Sequence, residues 1–425
     1  MTRRAALVTA LQRRMSGLRQ TGRRDVLDHP RIRALIRRLQ AAPPSIGFPA
    51  AADGDFLAFA PLLGKLLNNV GDPMSGSLYP WHSKDFEREA IAYLAELFRA
   101  RQPYTGYITS GGTEGTLHAL HLARTRLPDA VVFRSQSAHY SVEKATRLLA
   151  MDGVVVGTDA GGQMDYDDLA RRAARHRDRP AIVVANVGTT MTEAVDDVAR
   201  VHAALDAAGV PARHVHADAA LAGVPLAVFD GPRPAFDFTD GADSISISGH
   251  KFLGVPMPCG AVLTTCHHAD SAPTIAYTAA PDSTLTGSRN GLAAVMIWTV
   301  LHHYGRRGLH QRAQQSRHLA EDTARRLRKL GWPAWRHPLA MTVVLPQLPD
   351  TVAERWPLPT EDGWSHLICM PGVRPPTIDA FIGDLQAALS ANTTHARHRT
   401  PGRRGNASPT ATPDTATAVP PARTP

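Results

Sequence analysis

The stretch that decides the fold is AIVVANVGTTMTEAVDDVARVHAALDAAGVPARHVHADAA, residues 181–220. It begins with an apolar, β-branched run at 181–185, continues through a helical pattern at 197–207 and ends in a second β-rich run at 214–216. A strand, a helix and a strand in this order predict two parallel strands joined by a crossover helix. Parallel sheets carry helices on both faces, which explains why these runs are apolar throughout rather than alternating.

The same alternation of β-rich runs and helical patterns continues on both sides of this stretch. The other β-rich runs lie at 131–133, 154–156, 244–247 and 261–263. The sequence therefore predicts a large α/β domain with a mainly parallel sheet over residues 61–300. Beyond it, a long helical pattern at 312–330 and two short β-rich runs predict a smaller C-terminal α+β domain over residues 301–390.

The two ends of the chain carry most of its net charge of +9. Residues 1–40 contain eleven Arg and two Asp, and residues 391–425 contain five Arg and one Asp, so the residues between them carry a net charge of −4. Nucleic-acid binding needs a basic surface on the folded body, so no nucleic-acid partner is predicted. Residues 1–60 are predicted to form a basic helical segment, and residues 391–425, rich in Thr and Pro, a disordered tail.

The cysteine content and the hydropathy pattern exclude several classes of protein. The chain has three cysteines, which cannot build a disulfide framework, and none has the spacing of a zinc site, so no metal site is predicted. A run of 18 apolar residues is absent, so no membrane-spanning helix is expected. A reducing, cytoplasmic location fits this cysteine usage.

Polar side chains follow the ends of several predicted strands. In open α/β sheets, ligands bind beyond the carboxyl ends of the strands, so these residues are the candidates for a site. A glycine-rich turn, with Gly111, Gly112 and Thr113, precedes a helical pattern and can present free N–H groups to an anion. The other candidates are His139, Thr189, Asp218, Ala220, Ser248, His250 and Lys251.

Each candidate also has an ordinary structural interpretation. The glycines can form a tight turn, His139 can belong to the core, and Asp218 can cap a helix. Lys251 can lie on the surface. The whole set is more informative, because an anion-binding turn, a histidine, a carboxylate and a lysine would lie at one edge of one sheet. These are the groups that pyridoxal phosphate requires from a protein, so this cofactor is expected.

The motifs that carry these residues resemble those of a known family, the group II pyridoxal-phosphate-dependent decarboxylases. The similarity is greatest to the histidine decarboxylase branch, which also includes serine and valine decarboxylases, and it runs from about residue 65 to 390. The motifs are Ser110-Gly-Gly-Thr-Glu-Gly, His139-Tyr-Ser-Val, Asn186-Val-Gly-Thr-Thr, His216-Ala-Asp-Ala-Ala, Ser246-Ile-Ser-Gly-His-Lys-Phe and Gly287-Ser-Arg-Asn-Gly.

The resemblance implies the fold-type I architecture of aspartate aminotransferase and a role for each site residue. Lys251 would carry the cofactor, Asp218 would pair with its ring nitrogen, and Thr189 would lie near the ring substituents. His139 and Ala220 would pack on the two faces of the ring. The phosphate would be held by Gly111, Gly112 and Thr113, with help from Ser248 and His250.

The resemblance further implies a homodimer with the active site at the interface, where Ser288 or a neighbour could come from the partner. It also implies a mobile segment after Lys251 that carries a proton-donating tyrosine, for which Tyr277 is the candidate. In the segment 73–82 the branch usually has an Asn-Tyr or Ser-Asn-Tyr pattern near the substrate, but Leu78, Trp81 and His82 depart from it. This departure puts histidine in doubt as the substrate and leaves open an amino acid with a different, apolar side chain.

The expected function is decarboxylation of an L-amino acid to its amine and CO2, in the manner of histidine decarboxylase. Decarboxylation of valine or serine remains an alternative, as does an oxidative deamination that depends on decarboxylation. A binding protein that kept the fold without activity is a third alternative, against which the intact Lys251 and Asp218 argue.

Overall fold

The computed structural model describes residues 29–42, 45–265 and 274–398, with side chains as far as residue 391. The chain divides into two compact units, Met1–Pro44 and Ser45–Pro425. The described part of the first unit holds helix α1 (Pro30–Ala41), which begins with His29 as its N-cap and contains no buried residue. It lies inside the predicted basic helical segment, of which residues 1–28 and 43–44 are outside the described ranges.

A seven-stranded sheet organises the second unit. Its strands, in chain order, are β1 (Thr105–Thr109), β2 (Val131–Ser135), β3 (Gly153–Val156), β4 (Ala181–Asn186), β5 (Arg213–Asp218), β6 (Ser244–Ser248) and β7 (Gly260–Thr264). They are arranged in the order β1-β7-β6-β5-β4-β2-β3. Strands β2 to β6 pair in parallel, whereas β7 runs antiparallel to both β6 and β1.

Helices cover both faces of this sheet, as expected for parallel strands. They are α2 (Lys84–Leu97), α3 (Gly112–Arg126), α4 (Tyr140–Leu148), α5 (Tyr166–Ala173), α6 (Val198–Ala207) and the short α7 (Gly223–Ala227). Short 3-10 helices lie at Leu57–Gly64, Ala174–His176 and Phe238–Asp240. The reversed direction of β7 has a simple cause, because the connection 249–259 is too short for the helix that a parallel crossover needs.

A short hairpin and a smaller layer follow the sheet. The hairpin consists of β8 (Thr274–Ile275) and β9 (Ala280–Pro281). Helix α8 (Gly291–Lys329) packs its first half against the seven-stranded sheet and its second half in the core of the smaller layer. The other elements of the smaller layer are β10 (Thr342–Pro346), α9 (Asp350–Ala353), β11 (Thr360–Glu361), β12 (Trp364–Ile368) and α10 (Pro375–His398). Strands β10, β12 and β11 form an antiparallel sheet in that order. None of the helices in the described ranges is long and apolar enough to cross a membrane.

Two predicted boundaries differ from the structure. The division at residue 300 falls inside α8, whose backbone changes direction at Gly305, with φ 56° and ψ 179°. Helix α10 continues to His398, so the first residues of the segment predicted as a disordered tail from 391 are helical. The rest of that segment, from residue 399, is outside the described ranges.

Residues 45–53, here called the N-terminal strap, are extended although the sequence placed them in a helical segment. Gly47 and Pro49 disfavour a helix there, and Ile46 is buried at 2% exposure in the core of the smaller layer. The backbone N–H of Ile368 donates to the Ile46 carbonyl at 2.6 Å, and that of Ala51 donates to the Lys251 carbonyl at 3.2 Å. The strap therefore contacts both the smaller layer and the residues that follow β6.

A buried ion pair joins four segments behind the sheet edge. Arg289 Nη1 pairs with Glu87 Oε1, and both side chains are almost fully buried. Glu87 also accepts hydrogen bonds from the backbone N–H of Ile108, at 2.8 Å, and from Asn69 Nδ2, at 2.8 Å. Arg289 Nη2 donates to the Gly71 carbonyl at 2.7 Å. The pair thus connects α2, β1, the loop at 69–71 and the start of α8.

We expect Glu87→Ala to lower the free energy of unfolding by about 3–5 kcal/mol, because the guanidinium of Arg289 would stay buried without its counter-charge. Urea unfolding followed by circular dichroism measures this change. Arg306→Met is the matched control, since Arg306 and Asp230 form an exposed pair; its cost should stay below about 1 kcal/mol. Equal costs for the two variants would contradict the assignment.

Candidate active site

A cavity of about 610 Å³ lies at the carboxyl edge of the parallel strands. All ten residues predicted to bind the cofactor line it, because each lies at or after the end of β1, β2, β4, β5 or β6, and these strands point to the same edge. They are Gly111, Gly112, Thr113, His139, Thr189, Asp218, Ala220, Ser248, His250 and Lys251. The set therefore forms one site rather than several unrelated loops.

The first turn of α3 forms an anion cradle. Gly111 is the N-cap of this helix and offers no side chain to satisfy the free N–H groups. Glu114, in the same turn, accepts hydrogen bonds at Oε2 from the backbone N–H and the hydroxyl of Ser110, at 2.7 and 2.6 Å. A Cβ at Gly112 would lie 2.8 Å from Ser248 Oγ, so glycine is needed for that hydroxyl to approach the helix end. This donor set fits a phosphate group.

His250 lies beside this cradle. Its Cε1 is 3.8 Å from the position that a Cβ on Gly111 would take. Its Nδ1 is within 2.9 Å of the Cys259 carbonyl, a contact that fixes the ring. Burial lowers the pKa of His250, the Cys259 carbonyl opposes this shift, and the charge of Lys251 lowers the pKa further. A phosphate would therefore meet an imidazole ring with a fixed orientation there.

Two opposite charges follow β5 and β6. Asp218 ends β5, is 8% exposed and accepts a hydrogen bond from the Ala220 N–H at 3.3 Å. Lys251 follows β6, and burial lowers the pKa of its amine, while the charges of Asp218 and Glu193 oppose that shift. A buried amine with a lowered pKa is a better nucleophile than a surface lysine, so Lys251 suits covalent attachment of a carbonyl cofactor.

His139 is the N-cap of α4 and is held by its neighbour. Its Nδ1 lies 2.7 Å from Ser141 Oγ and accepts the Ser141 N–H at 3.3 Å. Burial lowers the pKa of His139; the charge of Asp218 opposes this shift and that of Lys251 adds to it. The ring is therefore neutral and has a fixed orientation, as stacking on a flat ligand requires.

Thr189 belongs to a tight loop that ends at Glu193. Its hydroxyl accepts the Ala194 N–H at 3.0 Å, and its carbonyl accepts the Glu193 N–H at 2.9 Å. Glu193 has a positive φ of 57° and is 2% exposed. Its Oε2 accepts three hydrogen bonds from the smaller layer, from the N–H of Met341 at 3.0 Å and from the N–H and hydroxyl of Thr342 at 2.8 and 2.6 Å. This loop therefore connects the sheet edge to β10.

Sequence reasoning missed part of the cavity wall. The strap contributes residues 47–50, and β12 contributes His366 and Ile368. Their positions depend on the packing of the smaller layer, which strand-end reasoning does not address. Glu193 was missed as well, since nothing in its local sequence indicates a buried carboxylate.

The structure does not bring Tyr277 or Ser288 to this cavity. Tyr277 lies between β8 and β9 with its side chain 81% exposed. Ser288 Oγ accepts a hydrogen bond from Asn68 Nδ2 at 3.1 Å. Residues Leu78, Trp81 and His82 are also absent from the cavity lining.

Comparisons with known proteins agree with this geometry. Residues 116–332 match the model of the pyridoxal-dependent decarboxylase conserved domain. The chain is 45% identical over 339 residues to a histidine decarboxylase of Mesorhizobium japonicum, an alignment that covers 79% of this chain and 91% of that protein. It is 36% identical over 353 residues to a histidine decarboxylase of Acinetobacter baumannii, over 81% of this chain and 92% of that protein.

Solved structures show the same relationship. One of them is a mutant of the L-methionine decarboxylase of Streptomyces sp. 590, in complex with L-methionine methyl ester. It is 25% identical to this chain and superposes with a TM-score of 0.77, and the match covers 86% of this chain and 96% of that chain. The predicted fold class, a fold-type I α/β architecture with a mainly parallel sheet, is confirmed. The chain belongs to the group II pyridoxal-phosphate-dependent decarboxylases, in their histidine decarboxylase-like branch.

Proposed function

We propose that this protein removes the α-carboxylate of an L-amino acid as CO2 and releases the amine, with pyridoxal phosphate held in the described cavity and L-histidine as the substrate. The observation that carries the proposal is the convergence of the anion cradle, Asp218 and Lys251 on one cavity. The relatives named histidine decarboxylase support the choice of substrate. The decisive experiment is incubation of the holoenzyme with each of the twenty amino acids, with amine and CO2 measured by mass spectrometry.

Bound pyridoxal phosphate supplies a carbonyl that condenses with amines and a protonated ring that accepts the electrons of the breaking bond. The protein residues attach and orient it. The free N–H groups of α3 and the hydroxyl of Ser248 hold the phosphate, and Lys251 supplies the amine for attachment. Asp218 is the carboxylate suited to hold a proton on the ring nitrogen. The neutral ring of His139 and the small side chain of Ala220 leave room for a flat group.

The roles of these residues also define how the substrate is activated. Fixing the substrate carboxylate relative to the cofactor supplies part of the rate acceleration, because the reacting groups no longer have to find their orientation. The carboxylate of Asp218 would stabilise a proton on the ring nitrogen electrostatically, and its burial would strengthen that effect. Protonation of the product at Cα then requires an acid, for which Tyr277 stays the candidate.

We propose further that the protein acts as a homodimer. Large apolar side chains are exposed along one segment and its neighbour: Leu57, Leu63, Leu66, Leu78, Trp81 and Tyr277. Leu78 N–H donates to the Thr278 carbonyl at 2.9 Å, so the segment and the hairpin that carries Tyr277 are adjacent. Exposed apolar side chains in adjacent segments favour association with a second copy. The proposed location is the cytoplasm, where the buried free thiols of Cys259 and Cys369 would stay reduced.

Borohydride reduction of the holoenzyme followed by peptide mapping should place the pyridoxyl group on Lys251, because its buried amine is the nucleophile of the cavity. Lys251→Ala should lose the label and the absorbance of the bound cofactor. Lys144→Ala, which removes an exposed lysine, should retain both. A label on any lysine other than Lys251 would disprove the assignment.

Asp218→Asn should lower kcat by roughly two powers of ten, equivalent to about 3 kcal/mol, since the ring nitrogen would lose its ionic partner. Steady-state kinetics measure the rate, and absorbance measures how much cofactor remains bound. Wild-type turnover in a variant that retains its cofactor would assign Asp218 a structural role only.

Tyr277→Phe should reduce amine formation steeply while cofactor and substrate binding persist, because only the hydroxyl is removed. An aldehyde by-product in the presence of oxygen would indicate the oxidative alternative. Since Tyr277 is exposed and does not line the cavity of its own chain, we expect it to act in the site of the partner subunit.

Mixed dimers test that expectation. Equal amounts of Lys251→Ala and Tyr277→Phe chains are unfolded and refolded together. If the tyrosine acts across the interface, half of the dimers are mixed and each mixed dimer has one intact site of two. The mixture should then regain about a quarter of the wild-type activity. Failure of the mixture to recover activity, with dimers present by light scattering, would exclude action in the partner's site.

A further inference from the structure

The cavity needs a group that holds the α-carboxylate of the substrate. Lys251 is the only lysine or arginine among the described residues that line the cavity, and attachment of the cofactor uses its amine. The two carboxylates of the lining, Glu114 and Asp218, would repel a substrate carboxylate. The rings of His139 and His250 are assigned to the cofactor ring and to the phosphate. The uncharged hydroxyl groups of the lining are therefore the donors that remain.

Most of these hydroxyl groups are already engaged. Three of them lie within hydrogen-bond distance of another side chain: those of Ser110, Ser141 and Thr189. Two more belong to the anion cradle: those of Thr113 and Ser248. The two that are left are those of Tyr140 and Thr190, and both residues are exposed in the single chain.

Tyr140 is better placed than Thr190 for a ligand that lies against His139. It directly follows His139, as the first residue of α4, and the centroids of the two rings are 4.3 Å apart. Its side chain is 72% exposed although it lines the cavity, so its hydroxyl can meet a ligand at the cavity mouth. A phenol also reaches further from the backbone than the short side chain of Thr190.

The loss of CO2 explains why an uncharged donor suits this position. As the bond between Cα and the carboxylate carbon breaks, its electrons move into the cofactor and CO2 leaves without charge. A fixed cation beside the carboxylate would stabilise the substrate more than the transition state, and would therefore raise the barrier. A hydroxyl can fix the direction of the carboxylate with less stabilisation of the substrate.

We propose that the hydroxyl of Tyr140 donates a hydrogen bond to the α-carboxylate of the substrate and holds it over the ring face that His139 covers. The ligand class is an α-amino acid with a free carboxylate, whereas an amine that lacks the carboxylate gains nothing from this hydroxyl. This inference rests on the proposed function, because it assumes that pyridoxal phosphate and an amino acid occupy the cavity.

The test compares two ligands that differ in the carboxylate, L-histidine and histamine. Each is mixed rapidly with the holoenzyme, and the change in cofactor absorbance within the first turnover gives its dissociation constant. Tyr140→Phe should weaken binding of L-histidine about tenfold or more, as expected for one lost hydrogen bond to a charged group, and should change that of histamine less than about twofold.

Tyr104→Phe is the matched control, since it also removes a phenol hydroxyl but lies outside the cavity lining; it should change neither dissociation constant. Equal losses for both ligands in Tyr140→Phe, or no loss for L-histidine, would overturn the proposal. A loss for L-histidine in Thr190→Val but not in Tyr140→Phe would overturn it in favour of Thr190. Thermal unfolding checks that each variant is folded.

The proposed function fails in a different way. If the wild-type enzyme forms no amine from any of the twenty amino acids, decarboxylation is wrong, while the two titrations still measure whether Tyr140 recognises a carboxylate. If another amino acid is the substrate, that amino acid and its amine replace L-histidine and histamine. A wild-type holoenzyme whose cofactor absorbance responds to no amino acid would overturn both proposals.

Discussion

Parallel pairing of β2, β4, β5 and β6 brings the carboxyl ends of these strands to one edge, and the chemistry of the protein depends on that constraint. A residue that follows one strand becomes a neighbour of residues that follow the others, however far apart they are in sequence. The anion cradle, His139, Asp218 and Lys251 meet for this reason. The helix that starts the cradle adds its own free N–H groups, so the edge already favours an anion before any side chain is considered.

The same edge holds buried charged groups, and neighbouring groups of opposite charge or hydrogen-bond donors compensate for their burial. Burial alone would favour a neutral Lys251, but Asp218 and Glu193 shift its pKa back toward the charged form. Burial also raises the pKa of Glu193, while the hydrogen bonds from Thr342 and Met341 lower it. Both carboxylates therefore favour the charged form of the amine, whereas burial lowers the pKa of His139 and His250.

Sequence reasoning brought together the ten residues that line one wall of the cavity, because the position of that wall follows from the ends of the strands. Asp218 and Ser248 end their strands, so the residues that come next must lie at the carboxyl edge of the sheet. Predicting the strands therefore also predicts where these residues lie. The rest of the lining could not be predicted in this way, since Phe48 and His366 join Lys251 in the cavity only through the packing of the smaller layer. Glu193 illustrates a further limit, because its positive φ and its buried carboxylate are both set by tertiary contacts with β10.

The N-terminal strap has a consequence for how the protein is made. Ile46 and Ala52 are hydrogen-bonded to Ile368 and Pro371, which lie more than 300 residues further along the chain. Contacts so distant along the chain form late in folding, because a long loop must close before they are gained. The cofactor edge of the sheet can thus assemble on a nascent chain while the wall that faces the substrate is still missing. The wall that the strap and β12 contribute to the cavity is therefore completed after the edge of the sheet at Lys251 has formed.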